Sequence, residues 1–106
     1  MNLCPTVSPV TDDAVLSAAI AASPFVRQYF AVREKLGGNA VLLYKLGAFY
    51  EVVGPDAAAA AAILGVPLTK RVGIPMCGVP YHDIARATKA LAAAGKAVGT
   101  CEEVRR

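Results

Sequence analysis

The stretch Gly47-Ala48-Phe49-Tyr50-Glu51 is where residue types and spacing best allow chemistry. In extended backbone, successive side chains alternate faces, so Phe49 and Glu51 project together and Tyr50 projects the other way. Two readings fit that spacing. One is a core phenylalanine beside an exposed glutamate. The other is a ring presented outward from a hairpin edge, next to a carboxyl that can hydrogen-bond. An outward ring stacks on any nucleobase, worth about 1–3 kcal/mol per base. Driven in from the minor groove, it wedges a base step open at a cost of a few kcal/mol. That cost is least where pairing is already broken, so a wedge discriminates through deformability. A carboxylate repels phosphates and serves poorly as glue. It serves well as a reader, because it accepts a hydrogen bond from a base edge, or donates one when protonated. On this reading the Glu51 pKa is raised in a DNA complex and nowhere else.

Other chemistry finds little support. His82 is the single histidine and falls at a helix start, where capping or surface roles dominate. No serine lies in GxSxG, no cysteine has an evident histidine partner, and no GK[ST] phosphate loop is present. Asp12-Asp13 and Glu102-Glu103 read as a helix-start pair and a solvated end rather than an acid/base pair. Cys4, Cys77 and Cys101 are odd in number and lack CxxC spacing, which argues against a disulfide framework or a zinc site. The expectation is a cytoplasmic, non-enzymatic protein with reduced thiols, no catalytic residues, no metal and no cofactor.

Composition is compatible with this. Eleven basic and eight acidic residues leave a net charge of +3, which permits a nucleic-acid partner without demanding one. The chain is 56% hydrophobic with a mean hydropathy of +0.47, but much of that is alanine, so large side chains must carry the core. The longest apolar run, 57–64, is far short of the ~20 residues that cross a bilayer. The apolar stretch 14–22 follows Asp12-Asp13, where a secretory signal would be basic.

The elements that would position these residues follow from punctuation and periodicity. Thr11 or Asp12 caps a short helix through Ala22. Ser23-Pro24 starts a second helix to about Leu36, with Phe25, Tyr29, Val32 and Leu36 on one face, stopped by Gly37-Gly38. Residues 40–46 and 49–53 form a hairpin around Gly47-Ala48. Gly54-Pro55-Asp56 caps an alanine-rich helix to about Leu64, and 66–71 is a strand. Residues 73–80, with two glycines and two prolines, read as loop or irregular strand. A helix from His82-Asp83 to about Ala94 and a strand over 98–102 complete the chain. This order predicts one small α/β domain, a mixed sheet with a β-hairpin and helices packed on it, preceded by a tail and short helix over 1–22.

The stretches SPFVRQYFAVREK, LLYKLGAFYEVVGPDAAAAA, ILGVPLTKR, IPMCGVPYH and GKAVGTCEE appear in that order within residues 23–103. Together they resemble the N-terminal mismatch-recognition domain of the MutS family of DNA mismatch repair proteins. The resemblance implies a recognition domain over 23–106 that binds mismatched or distorted double-stranded DNA, with other mismatch repair proteins as further partners. Phe49 falls on the family's intercalating phenylalanine, Glu51 on the glutamate that hydrogen-bonds the mispaired base, and Leu46 on a minor-groove position. Lys70 and Arg71, in LTKR, would contact the DNA backbone. The turn at Pro80-Tyr81-His82 would offer backbone amides to phosphate.

Departures from the pattern also matter. Ala48 stands where the family has aspartate, and the chain is several residues shorter between Arg71 and Gly73. With no clamp or ATPase sequence in these 106 residues, binding would rest on three or four phosphate contacts. That implies a salt slope of about −3 and non-specific dissociation constants of order 10⁻⁴–10⁻⁵ M. A non-catalytic protein-interaction module and a truncated repair protein are the alternatives; oligomeric state is not encoded in any motif.

Overall fold

The computed structural model describes residues 13–102. Its order is α1 (Asp13–Ala22), α2 (Pro24–Arg33), β1 (Ala40–Leu46), β2 (Phe49–Val53), α3 (Asp56–Leu64), β3 (Thr69–Arg71), β4 (Ile74–Pro80), a 3₁₀ turn (Tyr81–Asp83), α4 (Ile84–Ala93) and β5 (Ala97–Glu102). The strands form one mixed sheet in the order β3-β4-β2-β1-β5. Every neighbouring pair is antiparallel except β1 with β5, whose parallel pairing needs the long connection through the rest of the chain. This is the α/β domain that the sequence implied. The capping residues expected at Thr11 and Asp12 lie outside the described residues.

Strand alternation divides the core in two. Val41, Leu43, Tyr50, Val52, Cys77 and Val79 meet α3 and α4 on one side. Leu42, Tyr44, Val53 and Ile74 meet α1 and α2 on the other. In α3, Ala57, Ala60, Ala61 and Leu64 form the i, i+3, i+4, i+7 stripe that seats the helix on the sheet. Opposite, Phe25, Tyr29, Phe30 and Tyr44 form an edge-to-face aromatic cluster, and the Tyr29 hydroxyl donates to the Leu42 carbonyl at 2.9 Å. Burial raises the Tyr29 phenol pKa well above its ordinary value, so this hydroxyl stays a donor.

Helix ends largely follow their punctuation. Ser23 Oγ accepts from the Val26 amide at 3.3 Å, with Pro24 in the first turn. Here α2 ends at Arg33, and Lys35 and Leu36 continue in tighter i→i−3 bonds before the glycines. Asp56 does not cap α3; it pairs with Arg33 of α2 at 2.8 Å. Gly54 is needed twice over: its φ is +89°, and a Cβ there would run into the Phe30 ring.

The segment around Pro75 differs from expectation. Residues 74–80 form a regular strand between β3 and β2 rather than a loop. The Pro75 carbonyl accepts from the Gly54 amide at 2.8 Å. In an antiparallel strand a residue's N–H and C=O point to the same side, so the missing N–H faces just past the end of β2 and breaks no bond with β3. Pro80 ends the strand. The preceding strand is correspondingly short: only 69–71 of the expected 66–71 pair.

Candidate nucleic-acid interface

Phe49 opens β2 directly after the Gly47-Ala48 turn, where Gly47 takes φ +62°. Its ring is 45% exposed. Two residues on, Glu51 lies on the same face, while Tyr50 between them is buried in the opposite core. Of the two readings of this spacing, the geometry matches the outward ring with a neighbouring carboxyl. Tyr50 is anchored by a hydrogen bond from its hydroxyl to Glu102 Oε2 at 3.0 Å, which ties β2 to the far side of β1. The hairpin that carries Phe49 is therefore fixed from behind.

Glu51 is half-buried between its two cross-strand neighbours. Across the sheet it pairs with Tyr44 on one side and Gly78 on the other. The absence of a side chain at Gly78 creates the space: a Cβ there would collide with Glu51 Oε1. From β3, Arg71 folds over the same face, its guanidinium 5.2 Å from the Phe25 ring centroid, while Phe25 meets Tyr44 edge-on at 5.4 Å. Burial raises the Glu51 pKa above its ordinary 4.5, and the charge of Arg71 opposes that rise. A shift expected only in a DNA complex is thus already present in the free domain, because the protein itself desolvates the carboxyl. Burial, with the charge of Glu51 added to it, pushes the Cys77 thiol beneath the sheet up to about 11, which keeps it neutral.

The other residues singled out from sequence separate into groups. Leu46 is half-buried, pairs directly with Phe49, and borders a cleft of about 640 Å³ that also takes in Phe25, Arg27, Tyr44 and Cys101. His82 is exposed in the 3₁₀ turn at the Phe49 end of β4. The turn's backbone is less available than expected, since Pro80 has no amide and the Tyr81 amide is spent on the Ala48 carbonyl at 2.8 Å. That bond, not an aspartate side chain, braces the hairpin tip at Ala48.

Lys70 and Arg71, adjacent in sequence, present different surfaces. They point to opposite faces of β3, with Lys70 exposed and Arg71 half-buried over Phe25. Lys70 pairs with Pro75 and Phe49 with Pro80, so they stand roughly 17 Å apart along β4 at ~3.4 Å per residue. The shortened segment after Arg71 is a two-residue turn at the end of β4 remote from Phe49.

Tyr81 and Lys45 lie inside two of the quoted stretches without either side chain being singled out there, yet both sit at the hairpin end of the sheet. Tyr81 is 53% exposed at the hairpin end, with Lys45 Nζ 5.5 Å from its ring centroid. The adjacency of Tyr81 to His82 is the one signal that points to it; the lysine contact depends on how β1 and the 3₁₀ turn meet. Among the described residues no cluster of histidine, cysteine or acidic side chains could hold a metal ion. None of their helices is long and apolar enough to cross a membrane.

A family model described as MutS domain I matches residues 23–106. The DNA mismatch repair protein MutS of Treponema pallidum (strain Nichols) is 45% identical over 82 residues, covering 77% of this chain and 9% of its own length. Its namesake from Syntrophobacter fumaroxidans is 42% identical over 87 residues, covering 77% of this chain and 10% of its own. The one from Thermosipho melanesiensis is 39% identical over 82 residues, with 77% and 10% covered. The chain thus spans about a tenth of the length of the curated relatives it matches.

Proposed function

The chain belongs to the MutS domain I family, and from that premise we propose that it binds mismatched or distorted double-stranded DNA, with Phe49 as the stacking wedge and Glu51 as the base reader. The observation that carries this reading is the exposed ring of Phe49, held on the same face as a carboxyl two residues away. The ring supplies affinity for any opened step, and the preference comes from the lower cost of opening one that is already mispaired. Glu51 then sorts base edges by accepting or donating a hydrogen bond, and its burial, which raises its pKa, favours the protonated, donating form.

Supporting contacts follow from placement. Leu46, beside Phe49, would line the minor groove. His82, with Tyr81 and Lys45 at the same end of the sheet, would meet the adjoining phosphates. Lys70 would add a backbone contact further along β4. None of these roles involves catalysis, and the reading places the domain with cytoplasmic mismatch repair proteins as partners.

The test is equilibrium binding to matched, G·T and single-base-loop duplexes at low salt. Tighter binding to the G·T and looped duplexes than to the matched one supports the reading. Equal affinity for all three rejects it, and a complete absence of DNA binding favours a protein-interaction module.

A further inference from the structure

The nearest carboxylate in register with Lys45 does not take its charge. Lys45 stands between Tyr50 of β2 and Glu102 of β5, so the three residues form a row across the sheet on the α3/α4 side. Unlike charges on directly opposite residues ordinarily attract. Yet among the described residues Lys45 forms no ion pair. Glu102 Oε2 accepts instead from the Tyr50 hydroxyl at 3.0 Å, and the Lys45 ammonium lies 5.5 Å from the Tyr81 ring centroid.

Both ends of this arrangement are fixed from elsewhere. Tyr50 is buried in the core, and a hydroxyl that donates to a carboxylate makes one of the stronger hydrogen bonds. The Tyr81 amide donates to the Ala48 carbonyl at 2.8 Å, and its ring meets that of His82 edge-on at 5.8 Å, which keeps it at the hairpin end. Other acidic groups do not compete for Lys45. Asp83 pairs with Arg86 at 2.8 Å, and Glu51 lies on the opposite face of the sheet.

We propose that the Tyr50–Glu102 hydrogen bond positions Lys45: by holding the carboxyl that would otherwise capture the ammonium, it leaves Lys45 on the Tyr81 ring at the hairpin end, where it meets a phosphate of the duplex. The phosphate arm rests on the DNA-binding function above; the arrangement of the four side chains does not. Lys45 and Phe49 lie on opposite faces of the hairpin. The lysine contact therefore raises affinity for every duplex alike and leaves mispair preference to Phe49 and Glu51.

The experiment follows nuclear Overhauser contacts between the Lys45 ε-methylene and the Tyr81 ring in the free whole chain, as wild type, Tyr50→Phe, Glu102→Gln and the double variant. Matched- and G·T-duplex affinities are measured across salt concentrations for the same four and for Lys45→Met. Tyr50→Phe should weaken the Lys45–Tyr81 contacts, because Glu102 is released to pair with the lysine. In the Glu102→Gln background the same substitution should leave them intact. Lys45→Met should make the salt slope shallower by about 1 and lower both affinities about 3- to 10-fold at low salt, with their ratio unchanged. Tyr50→Phe should cause part of that loss with Glu102 present and none with Gln in its place. A loss equal in both backgrounds would mark Tyr50 as packing alone and overturn the proposal, as would unchanged Lys45–Tyr81 contacts in Tyr50→Phe. If Tyr50→Phe does not fold, the exposed position 81 replaces it. Tyr81→Phe keeps the ring and should match wild type, whereas Tyr81→Leu should reduce the slope unless Glu102→Gln is also present; equal slopes for the two would overturn the proposal. Should wild type bind no DNA, the DNA-binding function fails by itself, and the contacts in the free protein still decide whether Tyr50 and Glu102 govern Lys45.

Discussion

Glu51 and Gly78 face each other across β2 and β4, and the carboxyl occupies the space that a side chain on Gly78 would fill. The position of this carboxyl is therefore encoded on a different strand from Glu51 itself. Phe49, on the same strand as Glu51, needs no such accommodation because its side chain is exposed just after the hairpin turn. The Phe49 ring is set by the turn and the Glu51 carboxyl by a cross-strand niche, so each can be perturbed separately.

Gly78→Ala tests the niche. The new methyl would displace Glu51 Oε1 and press on the Tyr50 carbonyl, while the backbone conformation itself suits alanine. We expect the folded domain to lose G·T preference while retaining matched-duplex binding. The stability cost should be about 1–3 kcal/mol by denaturant unfolding. In a Glu51→Ala background much of that cost should disappear, as the double-mutant cycle would show.

Stability should carry a signature of Glu51 with a definite sign. Burial lifts its pKa in the fold above the ordinary 4.5, so the native state holds the proton more tightly than the unfolded chain. Its contribution is then favourable at low pH and is lost as pH rises from about 4.5 through the folded value. Glu51→Gln has no such loss. Relative to wild type, the variant should gain stability between pH 4 and pH 7 in urea titrations; a difference that is flat with pH would contradict the burial of this carboxyl.

Val72 and Gly73 form the two-residue turn between β3 and β4, both with positive φ, at +44° and +87°. Turns of this kind favour Asn-Gly, and a β-branched residue with positive φ is strained. Val72→Asn should stabilise the domain by about 1 kcal/mol, raising Tm by ~4–8 °C, with DNA binding unchanged because the turn lies at the far end of β4 from Phe49.

In the aromatic cluster, Tyr29→Phe removes the buried donor to the Leu42 carbonyl. A loss of about 1–2 kcal/mol in denaturant unfolding is expected.

Local rules make much of this molecule legible in its sequence. Ser23-Pro24 marks the start of α2, alternation places Phe49 and Glu51 on one face, and the order of elements implies the mixed sheet. Residues 74–80 defeat those rules, because glycine and proline content argues for a loop unless one knows which way the missing Pro75 amide points, and that depends on where β2 ends. Glu51 poses the same difficulty. The shared face is visible in the spacing, but the niche depends on the β4 register that sets Gly78 opposite Glu51. Lys70 and Arg71, adjacent in sequence, can be told apart only once β3 is known to be extended.

The most direct measurement is the effect of Phe49→Ala on binding to G·T and matched duplexes, with denaturant unfolding as a control. The exposed ring contributes little to the core, so the variant should stay folded. With Phe49 as the wedge, its removal should collapse the G·T-to-matched preference toward unity, consistent with a stacking contribution of about 1–3 kcal/mol. A folded Phe49→Ala variant that keeps the wild-type preference would contradict the assignment of this ring as the wedge.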